Sequence, residues 1–495
     1  MGPEYVSTRN GKEKVSASKA ILKGIADDGG LFVPTHLPVF DRELSEFADM
    51  DYRETAFNVM KLFLSDFSEE ELRACIESAY DGKFDTPLIA PLKKASNAYY
   101  LELFHGKTIA FKDMALSILP HLMMTAARKN EVKDEIVILT ATSGDTGKAA
   151  LAGFDSVPGT KIIVFYPKGG VSPIQEKQMV TQSGANTKVI GIRGNFDEAQ
   201  TGVKKMFNDR DFNERLGKAG KRFSSANSTN IGRLVPQITY YVYAYSRLVK
   251  ESVIKCGDKI NITVPTGNFG NILAAYYAKQ LGLPVNRLIC ASNENKVLFD
   301  FFKTGIYDRN REFHLTSSPS MDILISSNLE RLIYMIAGND PEKLSSLMKE
   351  LSEKGSYEIT AEMRKGLKDF YGNYADQNET AEKIKKVYES DSYVIDPHTA
   401  VAAAVYDKYV RETGDGTVNV IASTASPFKF TRNVMKALSK DDPSKTDLEL
   451  TKDLSIISGV TIPPAIEEIE TAPVRHTDVV GINDMEKAVA QFLGL

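Results

Sequence analysis

Lys112 lies at the end of an unusual run, Leu103-Phe104-His105-Gly106-Lys107-Thr108-Ile109-Ala110-Phe111-Lys112-Asp113. A lysine held against apolar neighbours such as Phe111 is pushed towards its neutral, nucleophilic form. An amine of that kind forms a Schiff base with an aldehyde cofactor. For any single lysine a solvated helix start is the commoner situation, so the chemistry depends on what other segments bring to it.

Four such segments stand out. In open α/β sheets, ligands bind where strands end and helices begin, and three of the four fall at expected junctions of that kind. Thr140-Ala141-Thr142-Ser143-Gly144-Asp145-Thr146-Gly147 is rich in hydroxyls and free of bulk. Its backbone NH groups would cradle a carboxylate or phosphate at a helix start. Gly147-Lys148 gives it an outward likeness to a P-loop. However, Thr142 stands where glycine is needed, and Ala149 where a hydroxyl should hold magnesium. Gly267-Asn268-Phe269-Gly270-Asn271 is a glycine turn that admits a ligand closely, at a helix end that favours anions. Packing alone also produces such turns. In Ser423-Thr424-Ala425-Ser426-Pro427-Phe428-Lys429-Phe430 a hydroxyl could meet a ring nitrogen as a neutral partner, and an ordinary capped turn is the equal alternative. The fourth segment, Ser224 to Arg233, is dense in donors and ends in a guanidinium suited to phosphate. The competing description is a solvated polar loop.

The elements that must position these loops follow from periodicity. Residues 4–90 read as mostly helical, with a turn at Asp27-Asp28-Gly29-Gly30 and a helix start at Ser68-Glu69-Glu70-Glu71. Tyr99 to Phe104 reads as a strand. Asp113 to Lys129 reads as a helix kinked at Pro120. β-rich runs at 135–140, 161–166 and 188–192 alternate with helices, as do later runs at 259–264, 287–291 and 418–422. Such alternation predicts right-handed βαβ crossovers and parallel sheets. Residues 340–390 are rich in Lys, Glu, Ser and Tyr at helical spacing and are expected as peripheral, solvated helices.

Composition narrows the function. The 495 residues suffice for two or three domains, and 42% hydrophobic with 25% charged residues is ordinary for a globular protein. A net charge of -4 without a long basic block argues against nucleic acid. Six histidines without metal-ligand spacing and three dispersed cysteines offer neither a metal site nor a disulfide framework. No signal pattern or membrane-length apolar run is present, so a cytoplasmic location is expected.

Taken in order, these segments resemble the threonine synthase family, pyridoxal-phosphate (PLP) enzymes of the tryptophan-synthase-β-like fold, fold type II. The resemblance runs from Tyr5-Val6-Ser7-Thr8-Arg9 and Asp28-Gly29-Gly30-Leu31-Phe32-Val33-Pro34, through the Lys112 segment, Ser143-Gly144-Asp145-Thr146-Gly147 and Asn227-Ser228-Thr229-Asn230-Ile231-Gly232-Arg233, to Pro265-Thr266-Gly267-Asn268-Phe269-Gly270-Asn271 and Thr424. The chain departs from the family at Ser426, where His commonly precedes proline, and at Phe428 and Met114.

The resemblance implies two open, twisted, mainly parallel sheets flanked by helices, with a largely helical N-terminal segment. Expected divisions are 1–95, 96–215 with the lysine and the SGDTG loop, and 216–495 with the glycine turn and a peripheral helical insertion at about 300–390. It also implies that Lys112, rather than Lys107, is the Schiff-base lysine. Gly267, Asn268, Phe269, Gly270 and Asn271 would hold the cofactor phosphate, and Thr424 would face the pyridine nitrogen. Thr142, Ser143, Asp145, Thr146, Asn227 and Arg233 would bind substrate. The implied reaction is γ-elimination of phosphate from O-phospho-L-homoserine and addition of water at Cβ, giving L-threonine. Alternatives are a phospho-lyase releasing 2-oxobutyrate and a non-catalytic, threonine-synthase-like binding protein. Expected partners are the small substrate alone, without nucleic acid or membrane, in a monomer or homodimer.

Overall fold

Two mainly parallel sheets organise the chain. The computed structural model describes residues 2–142 and 144–495, apart from the Asp197 side chain. The smaller sheet has the order Val479–Gly481, Thr187–Arg193, Thr160–Pro167, Glu135–Ala141, Lys221–Ser224, with every neighbouring pair parallel. Its central strands are the Ile- and Val-rich runs that sequence periodicity marks, and they are buried on both faces, as a parallel sheet covered by helices requires.

The larger sheet has the order Phe370–Tyr374, Val285–Ser292, Ile260–Pro265, Asn419–Ser423, Ala98–Glu102, Leu92–Ala95. Its neighbours are parallel except for the final pair, an antiparallel hairpin. The strand preceding Lys112 therefore belongs to the larger sheet, while the loop after Ala141 belongs to the smaller one. The expected division at 96 and 215 is thus not the division between sheets. The two loops converge from opposite sheets.

Two local expectations are corrected. The segment after Lys112 is not one kinked helix but two, Asp113–Leu116 and Leu119–Lys129, with Pro120 in the first turn of the second. Proline lacks an N–H, and a first helical turn does not use one, so Pro120 starts a helix rather than bending it. The 300–390 stretch is also more than a peripheral insertion. It does supply the solvated helix Pro341–Lys354, but also the edge strand Phe370–Tyr374 and the turn Pro319–Met321, which reaches the site.

The leading segment is tied to this frame. Its antiparallel strand pair Tyr5–Ser7/Phe32–Pro34 and its helices Tyr52–Met60 and Glu69–Ala79 share one apolar core with the helix Ile231–Lys250. The helix Glu69–Ala79 begins with the Ser68/Glu71 capping box that the sequence predicts. The helix Ile231–Lys250 is apolar or aromatic around most of its circumference and is buried along most of its length.

Candidate functional site

The Lys112 turn is fixed from both ends. Asp113 accepts hydrogen bonds from Thr108 N at 2.8 Å and Thr108 Oγ1 at 2.6 Å, closing the turn. Gly106 is needed there, because a Cβ at that position would lie 2.6 Å from the Asp113 Cβ. Ile109 adopts φ +50°, a left-handed conformation that a β-branched residue takes only under constraint. The constraint is the 423–426 loop. Phe111 N donates to Thr424 O at 2.8 Å, Ser426 N donates to Ile109 O at 3.0 Å, and Ala110 pairs with Ala425. Thr424 is 5% exposed and is held against the lysine turn by this pairing.

The Lys112 side chain is only 11% exposed. Its amine donates to Ser320 Oγ at 3.3 Å and lies 3.7 Å from Asp145 Oδ2. Burial pulls its pKa down to about 8; Asp145 pulls upward, and the charges of Lys429 and Arg233 push it further down. The amine is therefore poised to lose its proton near neutral pH. Burial alone would raise the pKa of Asp145, but Lys429 and Lys112 hold it well below the usual carboxylate range.

Ser320 joins this amine to the glycine turn. Its carbonyl oxygen lies 2.6 Å from where a Cβ on Gly267 would sit, so only glycine fits. Asn268 O accepts from both Asn328 N and Asn328 Nδ2, each at 3.0 Å. Phe269, at φ +65°, turns the chain into the helix Gly270–Leu281, whose first amides face outward. Arg331, fully buried, donates to Phe32 O at 3.0 Å, Asn328 Oδ1 at 2.5 Å and Thr229 O at 2.6 Å. It thereby ties the leading segment, the glycine turn and the 224–233 loop together.

Two buried donors in this region have no hydrogen-bond partner among the described residues, Asn271 Nδ2 and Arg233 Nε. Asn271 Oδ1 is taken by Tyr240 OH at 2.6 Å and Tyr241 OH at 2.5 Å, which fixes the orientation of the amide. Tyr240 OH, whose one proton goes to the nearer Asn271 Oδ1, also lies 3.1 Å from Gln237 Oε1, and Gln237 Nε2 donates to Arg233 O at 2.7 Å. One network therefore carries both orphan donors. Arg233 is 3% exposed, and its burial lowers its pKa to about 10. An unpaired buried donor costs about 1–3 kcal/mol. Two of them, beside a glycine-lined helix entrance and a poised amine, fit an anionic ligand that accepts hydrogen bonds next to a group able to react with an amine.

The remaining expected residues are placed less uniformly. Thr142 is buried, and its hydroxyl accepts from Gly144 N and Gly147 N, each at 2.9 Å, so it shapes the loop from within. Thr146 is half-buried in the first turn of the helix Asp145–Phe154. Asn227 is exposed and accepts from Thr140 Oγ1 at 3.4 Å. Ser143 lies outside the described residues.

Several site residues escaped sequence reasoning. These are Ser320, Lys429, Gln175, Asn328, Arg331 and the pair His398–Asp396, in which His398 Nδ1 donates to Asp396 Oδ2 at 2.7 Å. The only signal for Ser320 was the hydroxyl-rich turn Ser317-Ser318-Pro319-Ser320. Among the described residues, no group of histidine, cysteine and carboxylate side chains could hold a metal ion, and no helix is long and apolar enough to cross a membrane.

Comparison with known proteins covers nearly the whole chain. Residues 4–80 match the family described as Threonine synthase N terminus, 80–424 that described as Pyridoxal-phosphate dependent enzyme, and 399–492 that described as Threonine synthase, C-terminal. The chain is 39% identical over 467 residues to threonine synthase of Schizosaccharomyces pombe, covering 88% of this chain and 89% of that one. It is 38% identical over 485 residues to human threonine synthase-like 1, covering 94% of this chain but 64% of that longer protein. The fold superposes on PLP-bound threonine synthase from Brucella melitensis with a TM-score of 0.87 and 32% identity over the full length of both chains.

Proposed function

The chain belongs to the threonine synthase family, and from that premise we infer that it converts O-phospho-L-homoserine and water into L-threonine and phosphate. One observation carries this reading. Ser320 touches both Lys112 Nζ and the glycine turn, so a poised amine and an anion cradle share one site. PLP, when bound, supplies the electron sink that makes protons at Cα and Cβ acidic.

The protein supplies the rest. Lys112, with its pKa pulled to about 8, can tether the cofactor aldehyde. Lys112 Nζ, with its lowered pKa, would also be the base that moves protons at the substrate Cα and Cβ. The outward amides of Gly267, Asn268, Phe269, Gly270 and Asn271 would hold the cofactor phosphate, with Asn271 Nδ2 a further donor. The buried Thr424 hydroxyl would meet the pyridine nitrogen as a neutral partner, leaving the ring less protonated than a carboxylate would.

Arg233, with its unpaired Nε, is our candidate for the substrate phosphate, with Asn227 at the exposed rim. Ser143 and Thr146, with the backbone N–H of Asp145, would receive the substrate carboxylate, the Asp145 carboxylate itself being engaged by Lys429, Gln175 and Ser320, and Thr142 shapes their loop through its bonds to Gly144 and Gly147. We further propose a cytoplasmic enzyme, monomeric or homodimeric, acting on this small molecule alone. Its three cysteines are free thiols, Cys75 and Cys290 buried and Cys256 exposed, as in a reducing compartment.

Incubating PLP-loaded protein with O-phospho-L-homoserine, and measuring phosphate and threonine together, tests the reading. Equal amounts of both are expected. Phosphate accompanied by 2-oxobutyrate would instead establish the phospho-lyase.

A further inference from the structure

Two buried lysines share one carboxylate. Asp145 Oδ1 lies 3.1 Å from Lys429 Nζ and accepts from Gln175 Nε2 at 2.8 Å. Asp145 Oδ2 accepts from Ser320 Oγ at 2.8 Å and lies 3.7 Å from Lys112 Nζ. Lys429 is the better placed of the two cations. Its side chain is fully buried, and its ammonium also donates to Thr108 O at 2.8 Å. Its backbone is held in the short helical turn Pro427–Phe430, which Ser426 caps.

One carboxylate neutralises one unit of positive charge. With Lys429 closer, Lys112 is left with a longer ion pair and a bond to a neutral hydroxyl. We propose that Lys429 is a positioning residue for the reactive amine: it takes up the charge of Asp145, so that Lys112, held in place by Ser320, remains a weakly compensated cation that gives up its proton readily.

The other charged and titratable groups around the pair are accounted for. Asp113, on the lysine's own turn, is bonded to Thr108 N and Oγ1. Arg233, from the helix Ile231–Lys250, adds positive charge near Lys112. Lys148, from the helix after the SGDTG loop, donates to Gln182 Oε1 at 2.8 Å. His398 stands behind Ser320, accepting from Ser320 N at Nε2 at 3.2 Å and donating from Nδ1 to Asp396. None of these reaches the Asp145 carboxylate as closely as Lys429.

The inference rests on Lys112 being the reactive amine, and its test separates the two claims. The apoprotein is mixed with pyridoxal across a pH series, reduced with borohydride, and mapped for the tag at Lys112. Lys429→Met should raise the pH midpoint of capture by about one unit, because Asp145 then turns to Lys112. Asp145→Asn should lower it. Lys429→Gln, which keeps a donor for Thr108 O, should behave like Lys429→Met and serves if the methionine variant does not fold. A residue that merely supported the fold would change the extent of capture without moving the two midpoints in opposite directions. An unmoved midpoint in the Lys429 variants, or shifts of the same sign in the Lys429 and Asp145 variants, would overturn the proposal. Absence of capture at Lys112 at every pH in the unsubstituted protein would instead overturn the functional reading beneath it.

Discussion

Replacing Gly267 with alanine probes the contact between the glycine turn and the lysine pocket. The added Cβ would sit 2.6 Å from Ser320 O and 3.3 Å from Met321 Cα, about 0.8 Å short of ordinary van der Waals contact with a backbone oxygen. Neither neighbour is the end of a flexible side chain, so a backbone segment must move. Overpacking of this kind costs about 1–3 kcal/mol. If the 267–271 turn gives way, a phosphate hydrogen bond of about 2.9 Å stretches towards about 3.7 Å and is lost. One such charged bond contributes about 1.5–3 kcal/mol, which corresponds to a PLP dissociation constant roughly 10- to 150-fold weaker.

The assay is titration of apoprotein with PLP, read by absorbance, beside thermal unfolding of the apoprotein to show that the variant folds. Gly82→Ala is the control, because a Cβ there meets nothing within 4 Å, and it should leave both readings unchanged. A folded Gly267→Ala protein that binds PLP within twofold of the parent would refute the assignment of the cofactor phosphate to this turn.

Three further outcomes are expected. Arg233→Ala should raise KM for O-phospho-L-homoserine by about 30-fold or more, the 2–5 kcal/mol of a buried charged hydrogen bond, while the absorbance of bound PLP is retained; an unchanged KM would remove Arg233 from the site. Thr424→Asp should divert turnover towards transamination, measured as keto acid per threonine formed, and an unchanged ratio would contradict the neutral-partner role. His105 bridges Asp85 at 2.6 Å and Glu102 at 3.0 Å; burial opposes its protonation, but these bonds raise its pKa to about 9, above the ordinary 6.5. Its stabilising contribution is therefore full below pH 6.5 and lost as pH rises through 9. His105→Gln should lower unfolding stability by about 1–2 kcal/mol at pH 6, with Asp85 partly exposed, and by almost nothing at pH 10, as read by denaturant titration.

What the sequence disclosed follows the range of the interactions involved. Runs such as Ile136–Leu139 and Ile162–Phe165 declare themselves because both faces of a central parallel strand are buried. The edge strands Phe370–Tyr374, Lys221–Ser224 and Val479–Gly481 did not, because they are short, pair on one side only and need no continuous apolar run. The shift of Lys112 towards its neutral form could be anticipated from Phe111 and the apolar run before it.

The groups that set the electrostatics of Lys112 could not be anticipated. Ser320 comes from a short hydroxyl-rich turn with no helical or strand period, and Lys429 reaches Asp145 only because the strand Asn419–Ser423 inserts between Ile260–Pro265 and Ala98–Glu102. Local patterning carries no record of such insertions. Thr142 carries a role that its type and position do not announce: its hydroxyl accepts from Gly144 N and Gly147 N and so shapes its own loop, while its proton stays available to a ligand.

The most direct test of the central claim is borohydride reduction of the fully PLP-loaded protein, followed by peptide mapping. The account predicts a single tag, on Lys112 and not on Lys107 or Lys429. A tag on another lysine, or no tag in loaded protein, would contradict it.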